Sequence, residues 1–79
     1  MNVNLSVYFG ENLINCDVIV GVYTVWGKKE IEAISIESMK NVNTDRVLDI
    51  GRYNKYFIQA MMDKINDELT SPRYDYLKI

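Results

Sequence analysis

From Ile14 to Trp26 the apolar residues fall on every second position, at Ile14, Cys16, Val18, Val20, Val22 and Trp26, with Thr24 the one interruption. A two-residue period is the period of a strand, and β-branched side chains dominate it. Gly27-Lys28-Lys29 breaks the run, and a second β-rich run follows from Ile31 to Ile36. Together they predict a long antiparallel hairpin to which the rest of the chain is attached. Its first arm spans about Leu13 to Trp26, with Gly21 in the middle, where glycine often marks a bulge or bend. That arm is expected to pair with the preceding strand before the bend and with the following strand after it.

Ahead of the hairpin, Val3, Leu5, Val7 and Phe9 alternate with Asn4, Ser6 and Tyr8. This is a half-buried strand, closed by turn chemistry at Gly10-Glu11-Asn12. The strand after the hairpin turn, about Glu30 to Ser38, carries apolar residues in both phases: Ile31 and Ala33 point one way, Ile34 and Ile36 the other. Either a bulge near Ala33 re-phases it or both its faces are partly covered.

Beyond Asn43 the period changes. Thr44 suits a helix N-cap with Asp45 in the first turn, and Gly51 ends that short helix. The main helix is expected from about Arg52 to Leu69, with Tyr53, Phe57, Met61, Ile65 and Leu69 as its seam and Ile58 and Met62 flanking it. Lys55, Gln59, Asp63 and Asn66 take the other side. Ser71-Pro72 stops it, and residues 73–79 form either an added strand or a loose end. The fold class is therefore α+β: an antiparallel sheet of three to four strands with one long C-terminal helix across one face. One domain covers residues 1–79, with strands in 1–38, helix in 44–70 and a tail from 71 to 79.

Composition narrows the function classes. The 79 residues suffice for one small domain, and 48% hydrophobic with 25% charged residues is ordinary for a folded chain. A net charge of −2 argues against a protein that coats phosphate backbones. Cys16 is the only cysteine, so no internal disulfide forms. The first residues lack the basic and apolar regions of a signal peptide, and no apolar run reaches membrane-spanning length. The expected compartment is cytoplasmic, with no membrane partner. Asn, Ile, Lys and Tyr are abundant and Ala33 and Ala60 are the only alanines, a bias that fits an AT-rich coding sequence.

Little catalytic chemistry is available. Histidine is absent, which removes the commonest general base and the commonest zinc ligand. Cys16 and the serines therefore have no imidazole to activate them, and Cys16, in phase with Val18 and Val20, reads as a buried small hydrophobe. Glu30 with Glu32 and Asp63 with Asp67 form same-face carboxylate pairs, read as solvated surface charge. The glycines are scattered singly, so no phosphate-cradling loop exists. No catalytic residue, metal ligand or cofactor is expected.

The functional reading is thus one of surfaces. If one helix covers the side of the sheet bearing Val18, Val20, Val22 and Trp26, the other side presents Tyr8, Ile19, Tyr23 and Val25. That apolar and aromatic patch is the candidate interaction surface. The chain is expected to be a small non-enzymatic protein-interaction module that binds and modulates or inhibits a larger protein, with a homo-oligomer as one way to cover the patch. In general build it resembles the small sheet-plus-helix accessory proteins of phages and mobile elements, with no motif naming a family. The alternative is a small nucleic-acid-binding domain using Trp26, Lys28 and Lys29 at the hairpin tip with the sheet aromatics. Glu30 and Glu32 follow at once and offset that basic pair.

Overall fold

A computed structural model describes residues 1–78; Ile79, the end of the expected tail, lies outside the described residues. Four antiparallel strands lie side by side in chain order: β1 (Asn2–Phe9), β2 (Asn12–Val25), β3 (Lys28–Asn41) and β4 (Arg46–Leu48). One helix of 15 residues, α1 (Lys55–Leu69), packs on one face. The class is α+β. No described helix is long and apolar enough to cross a membrane.

Both hairpin loops have two residues. In the β1–β2 loop, Gly10 takes a φ of 63°, a conformation glycine adopts without penalty. In the β2–β3 loop, Trp26 and Gly27 have φ of 52° and 77°. Two consecutive positive φ values mark a type I′ turn, whose twist matches that of the flanking strands. The turn is therefore Trp26-Gly27 and not Gly27-Lys28-Lys29. Lys28 and Lys29 already belong to β3, and Trp26 leaves the strand it was expected to continue.

The phase conflict in β3 is resolved by two bulges. Val18 pairs with Ile36, Ile19 with Ser35 and Val20 with Ala33, so Glu37 and Ile34 are extra residues. Ile31, Ala33, Ile36 and Met39 consequently all belong to the helix-side core. Ile34 goes to the opposite face, where it lies over Gly21: a Cβ on Gly21 would sit 2.8 Å from Ile34 Cδ1. The irregularity thus lies in β3, and Gly21 supplies room for a side chain. Instead of taking over beyond a bend, β3 pairs with β2 along its whole length.

The segment expected to be a first helix is not one. Asn41 Oδ1 accepts from the N–H groups of Asn43 and Thr44, and Asp45 has a φ of 58°, so the side chain of Asn41 turns the backbone back on itself. The returning residues form β4. Ile50–Arg52 then makes a single 3₁₀ turn, with the Asp49 carboxylate accepting from Gly51 N–H. α1 starts later than the periodicity implies because Asn54 caps it, accepting from Phe57 N–H at 2.9 Å. Tyr53 therefore precedes the helix and stacks on Phe57 with ring centroids 4.5 Å apart.

Met61, Ile65 and Leu69 are the fully buried helix residues, set against Val3, Leu5, Val7, Cys16, Val18 and Val20. Phe57, the expected centre of the seam, sits at its rim and meets Phe9 edge-on. Residues 72–78 form a 3₁₀ helix whose Tyr74 and Leu77 join the same buried cluster. As far as Lys78 the tail is neither an added strand nor a loose end. It closes the helix side of the core and leaves the other face of the sheet open.

Candidate interaction surface

β1 ends with Asn2 opposite Ile19. Met1 adds one more pair, its amino group donating to Val20 O at 2.9 Å and its carbonyl accepting from Val20 N–H at 2.8 Å. From Gly21 to Glu32 the β2–β3 hairpin continues alone as a two-stranded arm, in a molecule measuring 41 × 23 × 20 Å. Ile31 at the root of the arm still packs against the core, but beyond it no described residue covers the arm on either face. Val22, on the helix side, is 41% exposed, and Trp26 at the tip is 98% exposed.

The four residues of the expected interaction patch do share the outer face, but they do not form one patch. Ile19, Tyr23 and Val25 line the arm and its root, and Ile34 joins them from β3, a residue the sequence reading left undecided. Tyr8 lies at the opposite end of the sheet, opposite Leu13. Between the two ends runs a polar ladder. Asn4 and Asn15 exchange side-chain amide bonds at 2.9 Å, Asn15 also donates to Ser6, and Asp17 accepts from Asn4 and from Ser38, each at 2.7 Å. These donors hold the exposed Asp17 carboxyl below its ordinary value of 3.8, with Asn4 the larger cause. The signal for the ladder was in the sequence, since Asn4, Ser6, Asn15 and Asp17 occupy the outward phase of two paired strands.

The basic pair at the tip is also divided. Lys28 pairs with Val25 and Lys29 with Thr24, so successive side chains leave opposite faces of the arm. Lys28, Glu30 and Glu32 share the outer face with Tyr23 and Val25, while Lys29 faces the other way. Trp26, Lys28 and Lys29 are near one another along the chain but do not make one basic platform.

Reactive groups are tied up or dispersed. Cys16 is fully buried, and burial first, with the neighbouring Asp17 carboxylate second, pushes its thiol from 9.0 to about 11. Asp63 accepts from Gln59 at the surface of α1. Among the described residues no group of three or more histidine, cysteine or acidic side chains is placed to hold a metal ion. No protein-family model, curated protein or solved structure is detectably similar to this chain.

Proposed function

We propose that this protein is a non-enzymatic interaction module that docks its β2–β3 arm on a larger protein and modulates it. The observation that carries this reading is Trp26. A large aromatic is held almost fully in solvent at the end of an arm, in a left-handed backbone conformation that disfavours bulky residues. Trp and Tyr are the residue types that most often anchor protein interfaces, and the arm carries Tyr23 and Val25 on one face behind Trp26, with Ile34 at its root. The absence of histidine and the buried state of the single cysteine support the non-enzymatic part.

A photocrosslinking residue at position 28, which leaves Trp26 in place, compared with one at Gln59 on the exposed side of α1, tests the reading in extracts of the native host. A defined protein adduct from position 28 alone, lost in Tyr23→Asp with the circular dichroism spectrum unchanged, is the expected result. Equal labelling from both positions would overturn it. The second reading, a nucleic-acid contact through Trp26, Lys28 and Lys29, is favoured by the free indole, which offers a stacking surface. It requires that single-strand binding fall steeply with salt, whereas the protein-docking reading expects no such binding.

A further inference from the structure

The two edges of the sheet are built differently. On the far side, β4 has only three residues, and the uncovered part of β3 carries Lys28, Lys29, Glu30, Glu32 and Glu37, with bulges at Ile34 and Glu37. There Ala33 N–H, which points away from β2, is capped by Asn66 Oδ1 at 2.9 Å. Charges, bulges and a covering side chain are the usual defences of an edge against strand addition. β1 has none of them. It is eight residues long, unbulged, and free of charge and proline.

We propose that β1 is the seat of a second copy of this chain, added antiparallel about a two-fold axis through Leu5. The reciprocal bonds between Met1 and Val20 set the alternation of the ladder. Val3, Leu5 and Val7 bond inward to β2, and Asn2, Asn4, Ser6 and Tyr8 send their N–H and C=O groups outward. Centred on Leu5, the copy sets Asn2 against Tyr8 and Asn4 against Ser6. Every outward group then meets an outward group, and shifting the copy by two residues leaves some unpaired.

The side chains agree with this register. Val3 meets Val7 and Leu5 meets itself on the helix face, while Asn4 meets Ser6 on the outer face. The two-fold axis brings a charge at Asn4, Leu5 or Ser6 close to its own copy, so the uncharged centre of the strand suits self-pairing. Beside the strand is a groove of about 400 Å³ between Ser6, Val7 and Tyr8 and the α1 residues Lys64, Asp67 and Glu68. The added strand would lie there, and the helix wall offers both signs of charge to its twin. Pairing at β1 leaves the arm of each copy free, so this dimer does not depend on the arm's function.

Sedimentation equilibrium on the full chain tests the proposal. The expected species is a dimer. Ser6→Pro removes an N–H that only the added strand uses and, at an edge position, is compatible with the strand. It should give a monomer with an unchanged circular dichroism spectrum. Because Ser6 Oγ also accepts from Asn15, Ser6→Lys serves as the second variant; it keeps the N–H, sets two like charges diagonally across the axis, and should shift the equilibrium toward monomer. A wild-type chain that stays monomeric, a dimer that survives both variants, or a dimer lost instead in Tyr23→Asp would each overturn the proposal. So would a monomer that gains mass only with a foreign extended peptide.

Discussion

Val18 and Val22 are the same residue type, on the same strand and the same face, four positions apart. Val18 is 0% exposed and Val22 is 41% exposed. β1, α1 and the tail cover β2 as far as Val20, and Val22 lies beyond that cover. The period of a strand tells which way a side chain points, and neighbours supplied from elsewhere in the chain decide whether that direction is inside. The body spends its apolar residues on its own core. The arm carries a comparable alternation into solvent, which is why its residues are available to a partner.

The largest expected effect lies at the centre of the body. Ile65 is completely buried between helix and sheet, and Ile65→Ala should destabilise the chain by about 2–5 kcal/mol, read from urea unfolding. A loss below about 1 kcal/mol would mean that α1 is not seated as described. The comparison itself is broken or upheld by one substitution made twice. Val18→Ala removes about two buried methyl-sized groups and should cost about 2 kcal/mol, while Val22→Ala should cost less than about 1 kcal/mol. Equal losses would mean that the arm is packed as tightly as the body.

Cys16 sharpens the comparison through pH. Its thiol is held at about 11 in the folded chain against an ordinary 9.0, so folding favours the protonated form. Between those values the unfolded chain loses the proton and the folded chain keeps it. Stability should therefore fall as pH rises from about 9 to about 11 and level off above. Cys16→Ala should lack this component when the two melting curves are compared across that range. An identical alkaline slope in both would mean that the thiol is not shielded. Native-state labelling by a thiol reagent should be slow for the same reason.

The parts of the fold legible in the sequence are those governed by local periodicity. The alternation of β1 and β2, the helical run ending at Leu69 and the placement of Cys16 in the core all follow from spacing. What spacing did not reveal depends on backbone turns and on tertiary cover. The bulges at Ile34 and Glu37 depend on how β3 aligns with β2, which no single strand encodes. The turn at Asn41–Asp45 replaced a helix because Asp45 takes a positive φ and the chain returns to pair Arg46–Leu48 with β3, a tertiary pairing that local spacing does not encode. The candidate surface was legible as a set of directions, since Tyr8, Ile19, Tyr23 and Val25 do face one way. Its division by the Asn4–Asn15–Asp17 ladder was not, because that requires knowing which strand positions are opposite each other.

The smallest expected effect is a gain, and it falls at the tip of the arm. Trp26 sits at a φ of 52° with its side chain 98% exposed, so it carries a backbone cost and recovers almost no packing. A left-handed conformation costs an ordinary L-residue roughly 1–2 kcal/mol, and asparagine followed by glycine is the pair that type I′ turns favour. Gly27 is already in place. Trp26→Asn should therefore stabilise the chain by about 0.5–1 kcal/mol, visible as a small rise in melting temperature, while removing the indole that the docking reading relies on. Trp26 is the only tryptophan, so the wild-type emission should lie at the wavelength of a fully hydrated indole and shift to the blue when a partner covers the tip. A less stable variant would show that Trp26 packs against the arm. A more stable variant that still binds its partner would move the anchor from the tip to the face formed by Tyr23, Val25 and Ile34. The combination expected, higher stability with lost binding, is what distinguishes a residue kept for contact from one kept for the fold.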